Sequence, residues 1–331
     1  MGEAPAPAGA ALSRRQVGRT SLKLSYLGVG GWLGLLDAPM AQREAAAIAA
    51  VQRGVALGVN YFDTAPMYGS GEAERYLGLA LAALPPAGRA QVHLSTKVGW
   101  HPERPHRYEA DAVRWSLDRS LRALKTDYVD IIHIHYPLHD AHMDQILGPG
   151  GAVEALSALK SQGVVGAISL GSRPHRFLRR AIESGVFDIV MTVYDYNPLR
   201  ASAGPIIALA AEHGVGVFNA SPYNAGLLAG LDPDLAAQRR APELPGELER
   251  ARALWRWSQE RGVDMGALAV QYSLRDERVA VTLTGPRDAA EVEANVRHAQ
   301  TPLPEWIWGE LEVFVKSLGP WPPGGEAGVL A

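Results

Sequence analysis

Asp63, Tyr68, Lys97 and His135 are the residues whose types and spacing could carry chemistry in this sequence. Asp63 closes the run Val59-Asn60-Tyr61-Phe62, and Tyr68 follows in the turn Ala65-Pro66-Met67-Tyr68-Gly69. Lys97 ends Leu94-Ser95-Thr96, and His135 ends Ile131-Ile132-His133-Ile134. A lone lysine or histidine at a strand end is usually solvated or structural. Four polar groups at the ends of successive strand-like runs point instead to one mouth. Such a set supports proton transfer at a carbonyl or alcohol. A phenol titrates at about 10, but a buried ammonium beside it stabilises the phenolate, and a carboxylate holds that ammonium charged and in place. Bringing the phenol to neutrality takes about three pH units, or about 4 kcal/mol, which one close, partly desolvated lysine could supply. A histidine opposite would orient the substrate oxygen. None of the four can accept hydride, so an organic cofactor has to.

The elements that must position these groups alternate. Strands are predicted at 26–29, 59–62, 92–96, 128–134, 164–169, 187–193, 215–219 and 279–283. Helical spacing over 43–57, then at Val113, Leu117, Leu121 and Leu124, and at Val153, Leu156 and Leu159, fills gaps between them. Gly-Val recurs at 58–59, 163–164, 185–186, 214–215 and 262–263 after helical patterns, as a left-handed cap followed by a restart. The expected fold is α/β, a closed (β/α)8 TIM barrel, with an N-terminal β-hairpin near 17–25, a C-terminal helix at 304–317 and a tail. The expected division is a disordered tail over 1–13, one barrel domain over 14–318 and a C-terminal tail over 319–331. Gly28-Val29-Gly30-Gly31-Trp32 is too short a match for the dinucleotide fingerprint of a doubly wound sheet. Long stretches at 136–150 and 222–246 follow strand ends and could act as lids.

The totals agree with this picture. At 331 residues, 47% hydrophobic and 20% charged, the chain suits one large soluble barrel. A net charge of −3 gives no basic footprint for nucleic acid or an anionic membrane. The absence of cysteine excludes disulfides, thiolate metal sites and a cysteine nucleophile. Arg14-Arg15 is followed by polar residues rather than an apolar signal region, and no run reaches the ~18 apolar residues of a membrane span. The expected location is the cytoplasm, as a monomer or small homo-oligomer with a small carbonyl or sugar substrate.

Together these residues resemble the aldo-keto reductase family, from Leu27-Gly28-Val29-Gly30 through Asn295. The resemblance rests on Tyr61-Phe62-Asp63-Thr64-Ala65 with Tyr68-Gly69, on Ser95-Thr96-Lys97, on Asp127–Asp130 running to His135, and on Ala220-Ser221-Pro222 with Gly226-Leu227-Leu228. It implies a catalytic tetrad of Asp63, Tyr68, Lys97 and His135, with Tyr68 as general acid/base. Within the family the chain is similar to the aldose 1-dehydrogenase branch of L-galactose, L-fucose or D-threo-aldose dehydrogenases and pyridoxal 4-dehydrogenases. Three stretches suggest it: Asp111 to Leu121, Asn219-Ala220-Ser221-Pro222 and His133-Ile134-His135. That implies oxidation of a sugar hemiacetal at C1 to a lactone with a nicotinamide cofactor, or reduction of aldehydes and ketones at the same site.

The resemblance places cofactor contacts at Gly30, Gly31, Trp32, Asp63, Gly171, Ser172, Asn219, Ser221, Pro222, Leu227, Gly285, Arg287, Glu291 and Asn295. Gly171-Ser172 and Ala220 depart from the Ser-Asn pair and the stacking aromatic of many reductases. Glu291 would repel a 2′-phosphate and accept from a 2′-hydroxyl, which favours NAD; Arg287 argues for NADP. Trp32, Trp100 and Tyr136 are expected to wall the substrate pocket, with His133 as a buried neighbour of the tetrad or a proton relay. The same residues allow two other readings. His133 and His135 with His139, Asp140 and His142 could suggest a zinc hydrolase, but the first strand offers only glycines and Trp32, so no metal is expected. A non-catalytic cofactor-binding subunit would have no need of an intact tetrad.

Overall fold

The computed structural model describes residues 12–31, 33–239, 242 and 244–321. Trp32, residues 240, 241 and 243, and the terminal stretches 1–11 and 322–331 lie outside the described residues, and most of both expected tails lies there.

A two-stranded antiparallel hairpin comes first: β1 (Arg14–Gln16) pairs with β2 (Lys23–Ser25), Arg14 opposite Ser25. Eight parallel strands follow: β3 (Leu27–Gly30), β4 (Tyr61–Asp63), β5 (His93–Val98), β6 (Val129–His135), β7 (Val165–Gly171), β8 (Ile189–Val193), β9 (Gly216–Ala220) and β10 (Val279–Thr284). They close into a barrel in the order β10-β3-β4-β5-β6-β7-β8-β9. Outward-facing residues such as Phe62, Leu94, Ile132 and Ile168 pack against the surrounding helices. Inward-facing Tyr61, Ile131, Ile189, Met191 and Phe218 fill the barrel, and Val17 and Leu24 of the hairpin join that cluster, closing its N-terminal end. The hairpin is held there by the Arg19 amide, which donates to the Gly214 carbonyl at 2.8 Å.

The predicted strands all form, with boundaries shifted by a residue or two. The run 59–62 starts later, at Tyr61, because Asn60 is drawn to the hairpin: its Oδ1 accepts from the Ser25 amide at 2.7 Å and its Nδ2 donates to the Lys23 carbonyl at 3.1 Å. Both long stretches after strand ends carry helices of their own, Asp140–Leu147 and Pro233–Arg239. The first is anchored by buried Met143 and Ile146 and by Arg180 reaching Asp144 at 2.6 Å. The terminal helix is Trp306–Ser317, seated by buried Ile307 and Leu311. Leu12, within the expected N-terminal tail, is buried in the main core. Trp321 of the other tail is covered by Arg200 and Arg250, whose guanidinium carbons lie 4.4 and 4.3 Å from its ring centroid. Among the described residues no helix is long and apolar enough to cross a membrane.

Candidate active site

Strand alternation builds the site in two layers. β4, β5 and β6 each point two polar residues inward, two positions apart: Tyr61 and Asp63, Ser95 and Lys97, His133 and His135. The register places Asp63 beside Ser95, and Lys97 beside His133. In the lower layer the Tyr61 hydroxyl lies 2.7 Å from Ser95 Oγ and 3.1 Å from His133 Nε2. In the upper layer Asp63 accepts from Ser95 Oγ at 2.6 Å and from Lys97 Nζ. Lys97 Nζ also donates to the Thr64 carbonyl at 2.8 Å.

Tyr68 begins the single turn Tyr68–Gly71 beyond β4 and leans over the strand end. Lys97 Nζ lies 5.0 Å from its ring centroid, near enough for the ammonium to act on the phenol. Gly31, at φ 76°, lets the chain pass the Tyr68 ring; a Cβ there would stand 3.4 Å from Tyr68 Cε2. His135 ends β6 edge-on to Tyr68, ring centroids 6.0 Å apart, with its backbone carbonyl held by the Tyr108 hydroxyl at 2.9 Å. Asp63, Tyr68, Lys97 and His135 therefore converge at one rim of the barrel. Sequence reasoning missed the partnership of Tyr61 and Ser95 with this group, although the repeated spacing of two was its signal.

The electrostatics differ from the expectation in one respect. Burial would lower Lys97, but Asp63 and then Tyr68 reverse this and hold it above its ordinary value. For Tyr68, burial outweighs the pull of Lys97, and Asp63 adds to the upward push, so the phenol sits above 10 rather than near neutrality. The expected lowering gave the Lys97 charge more weight than burial of the phenol, and burial is the larger effect. Burial and the Lys97 charge push His133 and His135 well below the usual imidazole range. Tyr61 is driven well up by burial and the nearby Asp63 carboxylate.

Around the mouth Trp100 lies 5.2 Å from the His135 ring, 5.2 Å and stacked with His106, and 5.8 Å from Tyr136. His142 stacks on His106, ring centroids 5.6 Å apart. Tyr136 and Tyr194 immediately follow β6 and β8 with left-handed backbones, φ 56° and 65°, a strain that bulky residues tolerate only when their surroundings impose it. Arg173 lies over the Tyr194 ring, 5.3 Å from the centroid, and near buried Asp195 at 3.7 Å. Neither Arg173 nor Tyr194 stood out in the sequence. Among the described residues no group of three or more acidic or histidine side chains is arranged to hold a metal.

Gly30, Gly31, Gly171 and Ser172 lie at the strand ends bordering the mouth, with Gly30 paired to Asp63 and Gly171 to His135. Ser172 Oγ is buried without a partner among the described residues. After β9, Ser221, Asn224 and Ala225 all have positive φ and Pro222 and Leu227 are buried, making a tight backbone turn suited to an anion. Asn219 is spent differently: its Nδ2 donates to the Tyr196 carbonyl at 2.8 Å and Ser273 Oγ at 2.9 Å. Gly285 is exposed, and buried Asn295 donates to Thr284 Oγ1 at 3.1 Å. Glu291 accepts from the Arg287 amide at 2.8 Å and from its guanidinium, so the two residues that argued for different cofactors bind each other. An orphaned hydroxyl at the rim and a turn of left-handed residues fit a nicotinamide nucleotide.

Comparison with known proteins decides the family. Residues 26–315 match the model of the aldo/keto reductase family. The chain belongs to that family. It is 32% identical to L-galactose dehydrogenase of Arabidopsis thaliana, covering 85% of this chain and 86% of the relative. It is 30% identical to D-threo-aldose 1-dehydrogenase of a Pseudomonas species, over 77% and 83% of the two chains, and 29% identical to pyridoxal 4-dehydrogenase of Microbacterium luteolum, over 91% and 97%. The holo form of an aldo-keto reductase from Bacillus halodurans superposes with a TM-score of 0.71 at 27% identity, over 93% and 96%. This aldo-keto reductase is an NAD(P)-dependent oxidoreductase acting on alcohol or aldehyde groups.

Proposed function

We propose that this aldo-keto reductase oxidises an aldose, of the L-galactose, L-fucose or D-threo-aldose kind, at C1 to the lactone. The observation that carries the reading is the Lys97 ammonium set between the Asp63 carboxylate and the Tyr68 phenol. Tyr68 acts as general acid/base on the C1 hydroxyl, Lys97 balances the charge that its phenolate develops, and Asp63 keeps Lys97 charged. His135, neutral because its pKa lies well below the usual range, orients the substrate oxygen. Trp100 and Tyr136 wall the sugar, and His133 holds the lower layer through Tyr61. The nicotinamide cofactor supplies the hydride acceptor; Ser172, the turn 221–227 and the stretch 285–295 would hold it. Because Glu291 neutralises Arg287, NAD is the favoured cofactor over NADP.

The raised Tyr68 favours a second reading, an NADPH-dependent reductase of aldehydes or ketones, since a protonated phenol donates readily to a carbonyl oxygen. Following cofactor reduction with free sugars and cofactor oxidation with simple aldehydes, across pH, separates the two. Sugar oxidation rising with pH supports the first; no turnover of any aldose, with ready aldehyde reduction, supports the second.

A further inference from the structure

Glu74 is a buried carboxylate, 4% exposed, that the site described above does not use. It occupies the third position of the helix Glu72–Ala82, which follows directly from the turn carrying Tyr68. Between Tyr68 and that helix the chain winds through three left-handed residues, Gly69, Ser70 and Gly71. So short and constrained a connector makes the position of Tyr68 depend on where the helix begins. The Thr96 hydroxyl donates to Glu74 Oε1 at 2.6 Å, and the helix Ala110–Leu124 packs alongside. Thr96 immediately precedes Lys97 on β5, and the two point to opposite faces of the barrel wall. The helices can approach closely enough for this because Gly78 has no side chain; a Cβ there would stand 2.2 Å from the Ala123 carbonyl oxygen.

We propose that Glu74 is a positioning residue: from outside the barrel it ties the element bearing Tyr68 to the strand bearing Lys97. It thereby sets the distance between phenol and ammonium. A burial cost is borne for this, since burial raises the Glu74 pKa against the opposing Thr96 bond, and the first turn of a helix is a favourable place for the charge. The inference rests on the reading of Tyr68 as acid/base.

The test compares Glu74→Ala, Glu74→Gln and Thr96→Val in the full chain, with L-galactose and NAD, or 4-nitrobenzaldehyde and NADPH if the sugar is not turned over. The Cζ resonance of carbon-13-labelled Tyr68, assigned by its loss in Tyr68→Phe, is followed alongside. Glu74→Ala and Thr96→Val should each lower kcat about tenfold and move the pH limb governed by Tyr68 upward by about one pH unit. Both should shift the Tyr68 resonance, with cofactor affinity held within about twofold. Glu74→Gln keeps an oxygen that accepts from Thr96, and should restore the resonance and the pH limb. Should Glu74→Ala not fold, Thr96→Val, which leaves the helix intact, decides the matter. An unmoved limb and resonance in Thr96→Val overturn the proposal, as does an equal shift in Glu74→Gln, which would make charge rather than position the cause. Full activity in Tyr68→Phe would instead overturn the underlying reading.

Discussion

Lys97 and Asp63 form an ion pair sealed within the barrel, each side chain 2% exposed. Ser95 and the Thr64 carbonyl satisfy the pair on either side, so neither charge is left bare. Breaking such a pair from one side strands a charge in a poorly solvated place, which typically costs about 3–5 kcal/mol. Lys97→Met should therefore lose about that much stability, and urea unfolding followed by circular dichroism measures it. A variant within about 1 kcal/mol of the parent would mean that Asp63 takes up a proton instead.

Tyr68 touches the reacting atoms in the proposed chemistry, whereas its neighbours prepare it. Tyr68→Phe should lower kcat by about 10²–10⁴. The ring keeps its place against Gly31, so the dissociation constant for NAD, read from tryptophan quenching, should stay within about threefold. Substantial residual turnover would transfer the proton step to another group.

The two buried imidazoles give the fold an acid limit. His133 and His135 titrate well below their ordinary value of 6.5 in the folded chain, so below that pH the unfolded chain binds more protons. Their stabilising contribution is complete above about 6.5 and is lost as pH falls toward the folded values. Each can remove up to about 1.4 kcal/mol per pH unit in that window. Unfolding free energy should thus decline steeply from pH 6.5 to 5. His133→Gln should flatten the slope even if it lowers the plateau; an unchanged slope would assign the acid sensitivity elsewhere.

How much of this was legible depends on what each residue's neighbours had to be. The eight strands were readable because glycine caps and apolar runs are local signals, and Asp63, Lys97 and His135 followed from them as strand ends. Asn60 was assigned to a strand because its pull toward Lys23 and Ser25 is a contact across thirty-five positions. Tyr194 and Arg173 were invisible because a left-handed backbone after β8 and a cation over a ring are products of packing. The pKa of Tyr68 differs from the expectation for a similar reason: adjacency to Lys97 could be inferred, but not that loss of solvent around the phenol would outweigh it. Asn219 carries the right motif, yet its amide is committed to Tyr196 and Ser273.

Cofactor choice should turn on the Arg287–Glu291 pair. Glu291 occupies both the Arg287 amide and its guanidinium, a few residues from buried Asn295. In this arrangement a 2′-phosphate meets a neutralised cation, while a 2′-hydroxyl loses nothing. Glu291→Gln keeps the size of the side chain but frees the positive charge of Arg287, so the ratio of kcat/KM for NAD over NADP should fall about tenfold, equivalent to about 1.4 kcal/mol. Arg287→Ala in the same background should restore the parental ratio, because the released cation is then gone. The pairing is half exposed, so the swing should also shrink as salt is raised from low to physiological strength. A ratio unmoved in Glu291→Gln would show that the adenosine end is read by other residues.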